Sequence, residues 1–233
     1  MIKRFFVVLI LVGIGLIFTG LLFNYVADTD LNQTGRYYAE HTAEDIGAAN
    51  IVSAIIVTYR GLDTIGEVTV LFLTAAIVGL VLVREHNQHN NKPREAGVSS
   101  ELLETGSRLL VPLIMLFGAY IIANGHLTPG GGFQGGAIFA SGVLLMLLTN
   151  PLRHFSHRLI TLTESISGVF FVLIGLLGLL LAGGFLDNRI LPIGQFGELF
   201  SAGSIPIIYA LIGLKVGAEF SSMLVDLSET EGQ

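Results

Sequence analysis

Cysteine and tryptophan are absent from this 233-residue chain, and charged residues make up only 13% of it. Without cysteine the chain carries no disulfide, no thiolate-bound iron-sulfur cluster and no cysteine zinc site of its own, so any redox chemistry belongs to a partner. The six histidines, His41, His86, His89, His126, His154 and His157, all lie outside the apolar runs, which argues against a haem held between spanning helices. His86 with His89, and His154 with His157, have i, i+3 spacing, but they sit in polar linkers and read as solvated interfacial residues, so no metal site is assigned. A net charge of -6 argues against nucleic acid as a partner.

What the chain has in abundance is apolar surface. Hydrophobic residues reach 52% and mean hydropathy is +0.73, far from soluble domains with their roughly 25% charged residues. The length suffices for about six spans of about 20 residues with short loops between them. The fold class that follows is an all-α integral membrane protein with about six transmembrane helices and one short re-entrant or interfacial helix.

The spans are expected at about Phe5 to Val26, Thr64 to Val83, Leu109 to Ala123, Phe133 to Thr149, Leu159 to Leu181 and Gly203 to Val225. Lys3 and Arg4 precede the first, with no small-residue cleavage site, so it reads as a retained anchor with an inside N-terminus. The loop from Ala27 to Gly47, with Asp28, Asp30, Glu40, Glu44 and Asp45, is acidic and fits the outer face. Ala48 to Tyr59 is too short for a crossing. Arg84, Lys92 and Arg94, and later Arg153 and Arg158, then fall inside, and Asp187, Arg189 and Glu198 outside. Both termini are therefore expected in the cytoplasm, with the protein multi-pass in the cell membrane. The polar linker around residue 97 divides the chain into a two-span part, residues 1–97, and a four-span part, residues 98–233.

Ionisable side chains within apolar spans mark candidate function, because each costs a few kcal/mol there unless paired or hydrated. Lys215 lies mid-span with Glu219 four residues on, a pair poised to exchange protons. Arg60, Asp63 and Glu67 share one helical face at the start of another span, where the carboxylates could pass a cation or proton inward and Arg60 could tune them; a structural ion pair is the alternative. Glu164 is expected in the first turn of its span beside Arg158, where a carboxylate stabilises the helix dipole. Gly175 with Gly178, and Gly213 with Gly217, read as helix contacts.

The stretch Gly125-His126-Leu127-Thr128-Pro129-Gly130-Gly131-Gly132-Phe133-Gln134-Gly135-Gly136 packs six glycines and a proline between two apolar runs. It reads as a tight hairpin between membrane helices, with Gln134 available for a polar contact in a complex. This stretch, with Ile212-Gly213-Leu214-Lys215-Val216-Gly217-Ala218-Glu219, strongly resembles the B-subunit (MnhB) domain of Mrp-type sodium/proton antiporters, in its hydrogenase-type form, over about residues 100 to 226. Asn50 through Glu67, with Tyr59-Arg60-Gly61-Leu62-Asp63-Thr64-Ile65-Gly66-Glu67, is similar to the C-terminal part of the large Mrp A subunit, a separate small subunit in membrane-bound hydrogenases. The resemblance implies a fusion of two neighbouring module subunits, with sodium or proton as the transported ion and no cofactor in the chain. It implies partners too: large antiporter-like and small membrane subunits, and hydrogenase or other iron-sulfur subunits where the module is redox-driven. Asp63, Glu67 and Lys215 carry over to an ion path, which Glu219 joins as the partner of Lys215, with Arg60, His126, Gln134 and Glu164 supporting. The chain is not expected to be an enzyme by itself. A stand-alone antiporter subunit, an assembly subunit and an independent transporter remain alternatives, although the independent transporter calls for inverted repeats that the sequence does not display.

Overall fold

The computed structural model describes residues 2–25, 30–86, 100–150 and 153–231. The expected boundary near residue 97, together with His89, Lys92 and Arg94, lies outside the described residues. Among those described, eight α-helices run in chain order: α1 Ile2–Asn24, α2 Gln33–Asp45, α3 Ile51–Ala54, α4 Gly61–His86, α5 Glu101–Ala123, α6 Gly132–Thr149, α7 His157–Leu181 and α8 Ile205–Glu231. Six of them are long and apolar enough to cross a membrane. The chain is an all-α, multi-pass membrane protein.

The chain divides into two compact units. In the first, which ends at Tyr37, α1 is an almost uninterrupted apolar helix whose side chains are exposed along nearly its whole length. A helix that is long and apolar all round is one whose solvent is hydrocarbon.

In the second unit, Tyr38 onward, α8 is the centre. It packs against α4, α5, α6 and α7, and 56% of its apolar window is buried, against 6–33% for the windows of those four helices. Ile205, Ile208, Tyr209, Ile212 and Val216 of α8 form one core with Val57, Val68, Ile122 and Phe171. The sequence places small residues where α8 meets its neighbours. A Cβ at Gly136 of α6 would lie 2.8 Å from the Gly213 carbonyl oxygen, 2.8 Å from Val216 Cβ and 2.9 Å from the Gly217 nitrogen. Only glycine lets the two backbones meet this closely, the small-residue packing that membrane helices use in place of hydrophobic association. Gly213 and Gly217 are thus helix contacts, as their spacing predicts. Gly175 and Gly178 instead accept the loop after α7: Cβ atoms there would collide with the Phe185 ring and with the Gly184 carbonyl.

The segment before α4 differs from a simple connection. The stretch after α1 contains a polar helix, α2, which hydropathy does not mark. α3 runs into a single π-helical stretch, Ile55–Tyr59, and the helix breaks at Arg60, whose φ of -125° and ψ of 37° leave the helical region. The short element is packed on protein rather than lying free at an interface, for Ser53, Ala54 and Val57 are buried. α5 begins at Glu101, eight residues before the expected Leu109, because the polar turn Glu101 to Arg108 stays helical and carries an i, i+4 ion pair, Arg108 to Glu104, of 2.6 Å.

Substituting Gly136 by alanine should wedge α6 from α8 and destabilise the fold by about 1–3 kcal/mol, the usual range for overpacking. A thermal-unfolding scan of the detergent-solubilised protein should show a lowered midpoint, and an unchanged midpoint would contradict the close approach.

A buried lysine site and a clamped glycine loop

Lys215 sits at the eleventh position of α8, near the middle of the helix. Its side chain is 10% exposed, and Nζ donates to Glu219 Oε1 at 2.7 Å, one helical turn away. Glu219 is completely buried, and its Oε2 has no hydrogen-bond partner within the described chain. The Lys215 ammonium also lies 5.1 Å from the centre of the Phe72 ring of α4, a cation–π distance. Removing two charges from water costs several kcal/mol per ion, which mutual attraction offsets only when geometry is good. The pair is therefore held by packing around it.

Beside the lysine is a cavity of about 500 Å³ walled by α4, α7 and α8, with Phe72, Val68 and Thr69 on one side and Glu164, Ser165 and Gly168 on another. The cavity brings Glu164 to the lysine. α7 begins at His157, so Glu164 lies in the third turn and not the first; its carboxylate is too far along the helix to serve the dipole at the N-terminus. The expectation of a helix-dipole role is corrected accordingly.

Asp63 and Glu67 are not part of this site. Residues 65, 68, 69 and 72 of α4 line the cavity, which turns Asp63 and Glu67 to the opposite side of the helix, where both are exposed. Arg60 forms an ion pair with Asp63, with both side chains more than half exposed. Gln134 is exposed too.

His126 has the opposite fate. It is fully buried, although its sequence position lies outside the apolar runs, and its Nε2 is 3.4 Å from the Glu198 carbonyl oxygen. Burial disfavours the imidazolium and pushes the His126 pKa below the ordinary 6.5, against the opposing effect of the Glu198 and Leu199 backbone. The glycine loop around His126 folds back on itself: the Gly131 amide donates to the Ile121 carbonyl at 3.2 Å, and Gly131 adopts a φ of 137° that favours glycine.

Sequence reasoning missed the residues that clamp this loop. Asn50 caps α3 through Oδ1, while its Nδ2 donates to the carbonyls of Gly125 at 2.8 Å and Thr128 at 2.9 Å. Ser53 Oγ also donates to Gly125, and the Asn50 amide donates to the His126 carbonyl at 2.9 Å. The sole local signal is that Asn is a preferred N-cap. On the loop between α7 and α8, Asn188 donates to the Ile46 and Ala202 carbonyls at 2.9 and 3.1 Å. Asp187 accepts from the Arg189 amide and guanidinium; burial would raise its carboxyl, but the Arg189 bonds and charge outweigh this and hold it below the usual range.

The lowered His126 pKa makes a pH-dependent contribution to stability. The unfolded chain binds the proton more tightly, so the contribution is fully present above the ordinary 6.5 and is lost as pH falls from there through the lower folded value. Wild-type protein should therefore lose more stability than His126→Asn between about pH 7 and about pH 5. Melting temperatures of both across that range test it, and parallel slopes would refute it.

The chain is similar to known proteins to different extents. The chain is 28% identical over 204 residues, 77% of either chain, to an uncharacterized protein of Methanocaldococcus jannaschii. It superposes with a TM-score of 0.81 and 42% identity on a chain of the membrane-bound sulfane sulfur reductase, an archaeal respiratory membrane complex, covering 97% of this chain and 98% of that one. The Mrp complex from Dietzia sp. DQ12-45-1b contains the same fold at 24% identity and a TM-score of 0.74, with 97% of this chain covering 26% of that chain. Residues 2–94 match the MbhE family, the E subunit of MBH. Because residues 102–222, just over half of its length, match the domain related to the MnhB subunit of the Na+/H+ antiporter, this chain belongs to that family and is an Mrp antiporter-like membrane subunit.

Proposed function

We propose that this chain forms part of the cation path of an Mrp-type antiporter module within an energy-converting respiratory membrane complex, of the membrane-bound hydrogenase type or a related ferredoxin-dependent one. The observation that carries the reading is the Lys215–Glu219 pair, buried near the middle of the most buried span, with Lys215 lining a cavity. An ionisable pair at that depth is expensive to maintain and is typical of ion and proton relays. The likeness to a chain of the sulfane sulfur reductase over nearly all of its length supports a redox-driven parent complex.

In this reading the ion is sodium or a proton, no cofactor is held in the chain, and redox chemistry belongs to iron-sulfur partner subunits. The chain is not an enzyme by itself. It lies in the cell membrane with both termini in the cytoplasm, in agreement with the distribution of arginine and lysine. The division into residues 1–97 and 98–233 is supported by family matches at 2–94 and 102–222. Asp63 and Glu67, with Arg60 beside them, serve a second stretch of the path on the outer side of α4, completed by a partner subunit, since they face away from the lysine cavity. The exposure of Gln134 favours a contact with a partner membrane subunit at the glycine loop. His126, buried behind it, holds the loop in shape.

Lys215→Met keeps the length and apolar stem of the side chain and removes its charge. In membrane vesicles containing the whole complex, ion transport should fall on the order of tenfold or more, equivalent to about 1.4 kcal/mol or more in the barrier, with partner subunits still recovered together. Unchanged transport would end the path reading, and loss of the assembled complex would point to a purely structural pair.

A further inference from the structure

Helices α7 and α8 are antiparallel, and their contacts define a register. Lys215 runs beside Gly168, where a Cβ would lie 3.5 Å from its Cδ and 3.6 Å from its Nζ. Eleven residues nearer the N-terminus of α7 and eleven nearer the C-terminus of α8, His157 Nδ1 is 3.8 Å from Asp226 Oδ1. Two matched pairs at the same offset show that the helices keep step between them. The same register sets Glu164, four residues before Gly168, opposite Glu219, four residues after Lys215. Both carboxylates then lie one helical turn from the lysine toward the same end of the bundle, about 6 Å along the axis. Glu164 lines the cavity into which Lys215 faces.

From this geometry we infer that Glu164 is the second carboxylate of the lysine site, and that Glu164 and Glu219 together hold one monovalent cation, a proton or sodium, in exchange with the Lys215 ammonium. The inference rests on the path reading above and extends it. Three facts converge. One lysine facing two carboxylates leaves one negative charge to be matched. Glu219 Oε2 is fully buried and has no protein partner within the described chain, so one oxygen is available to a proton or metal ion. Gly168 presents bare backbone beside the lysine stem, where even a Cβ would touch Cδ and Nζ, so α7 leaves the flexible stem room on that side. The other faces of the cavity add no titratable group: α4 contributes Ile65, Val68, Thr69 and Phe72. When the ammonium moves to Glu164, the Glu219 carboxylate is released to bind the cation, and its return displaces that cation. No bond other than to the proton or ion is made or broken.

The experiment uses membrane vesicles carrying the intact complex, with Glu164→Gln, Glu164→Asp, Gly168→Val and Lys215→Met compared at graded sodium at constant pH and at graded pH without sodium. Glu164→Gln should transport at least tenfold more slowly, with Glu164→Asp recovering much of the loss. A changed sodium half-saturation identifies sodium as the cation, and a displaced pH profile alone identifies the proton. Wild-type transport in Glu164→Gln overturns the inference, and if Lys215→Met is impaired at the same time the path reading survives it. If both are unaffected, the path reading has failed as well. Should Glu164→Gln not assemble, Gly168→Val decides: it keeps every charge and walls the lysine from α7, so a tenfold loss supports the exchange and unchanged transport overturns it.

Discussion

The contact on which the second unit depends is the backbone-to-backbone approach of α6 to α8 at Gly136, Gly213 and Gly217. Lipid tails are as apolar as leucine, so spanning helices gain little from hiding apolar side chains from one another, and close packing of small residues has to do that work. With α6 drawn in at the glycines, α8 is enclosed by α4, α5, α6 and α7. That enclosure keeps Glu219 wholly buried and Lys215 mostly so, with Lys215 lining the cavity. A bulkier residue at any of these glycines would therefore reach the ion pair through the helix spacing before it touched either charge.

The glycine loop is the other half of the same device. Gly131 turns the chain through a conformation that side chains avoid, and Asn50 and Ser53 hold the loop by its carbonyls. Backbone groups near the membrane need partners, since water is scarce there and an unmade hydrogen bond is expensive. The clamp supplies them from the segment before α4. The loop is thus a docking point between the two parts of the chain as well as a hairpin.

Features that depend on neighbours along the chain were legible in the sequence: the six spans from hydropathy, the Lys215–Glu219 pair from its i, i+4 spacing, and the hairpin from its glycines and proline. Features that depend on how distant segments meet were not. Nothing local tells that Glu164 opposes Glu219, that His157 meets Asp226, or that Asn50 reaches Gly125, because each pairing is set by the register of elements far apart in sequence. The direction in which Asp63 and Glu67 point was illegible for a related reason. Helical spacing puts them on one face, but only packing decides which way that face turns. The polar helix α2 escaped notice because hydropathy finds apolar spans and is blind to short polar ones.

Phe72 of α4 lies over the lysine, while Gly168 and Glu164 of α7 form the opposite wall. The lysine chamber is therefore made of pieces from both family-matched parts of the chain, residues 2–94 and 102–222. Joined in one polypeptide, these pieces are always produced in equal number and at a fixed tether. A membrane that holds this chain never contains one wall without the other, and an unroofed, charge-bearing half-chamber has no occasion to arise during assembly.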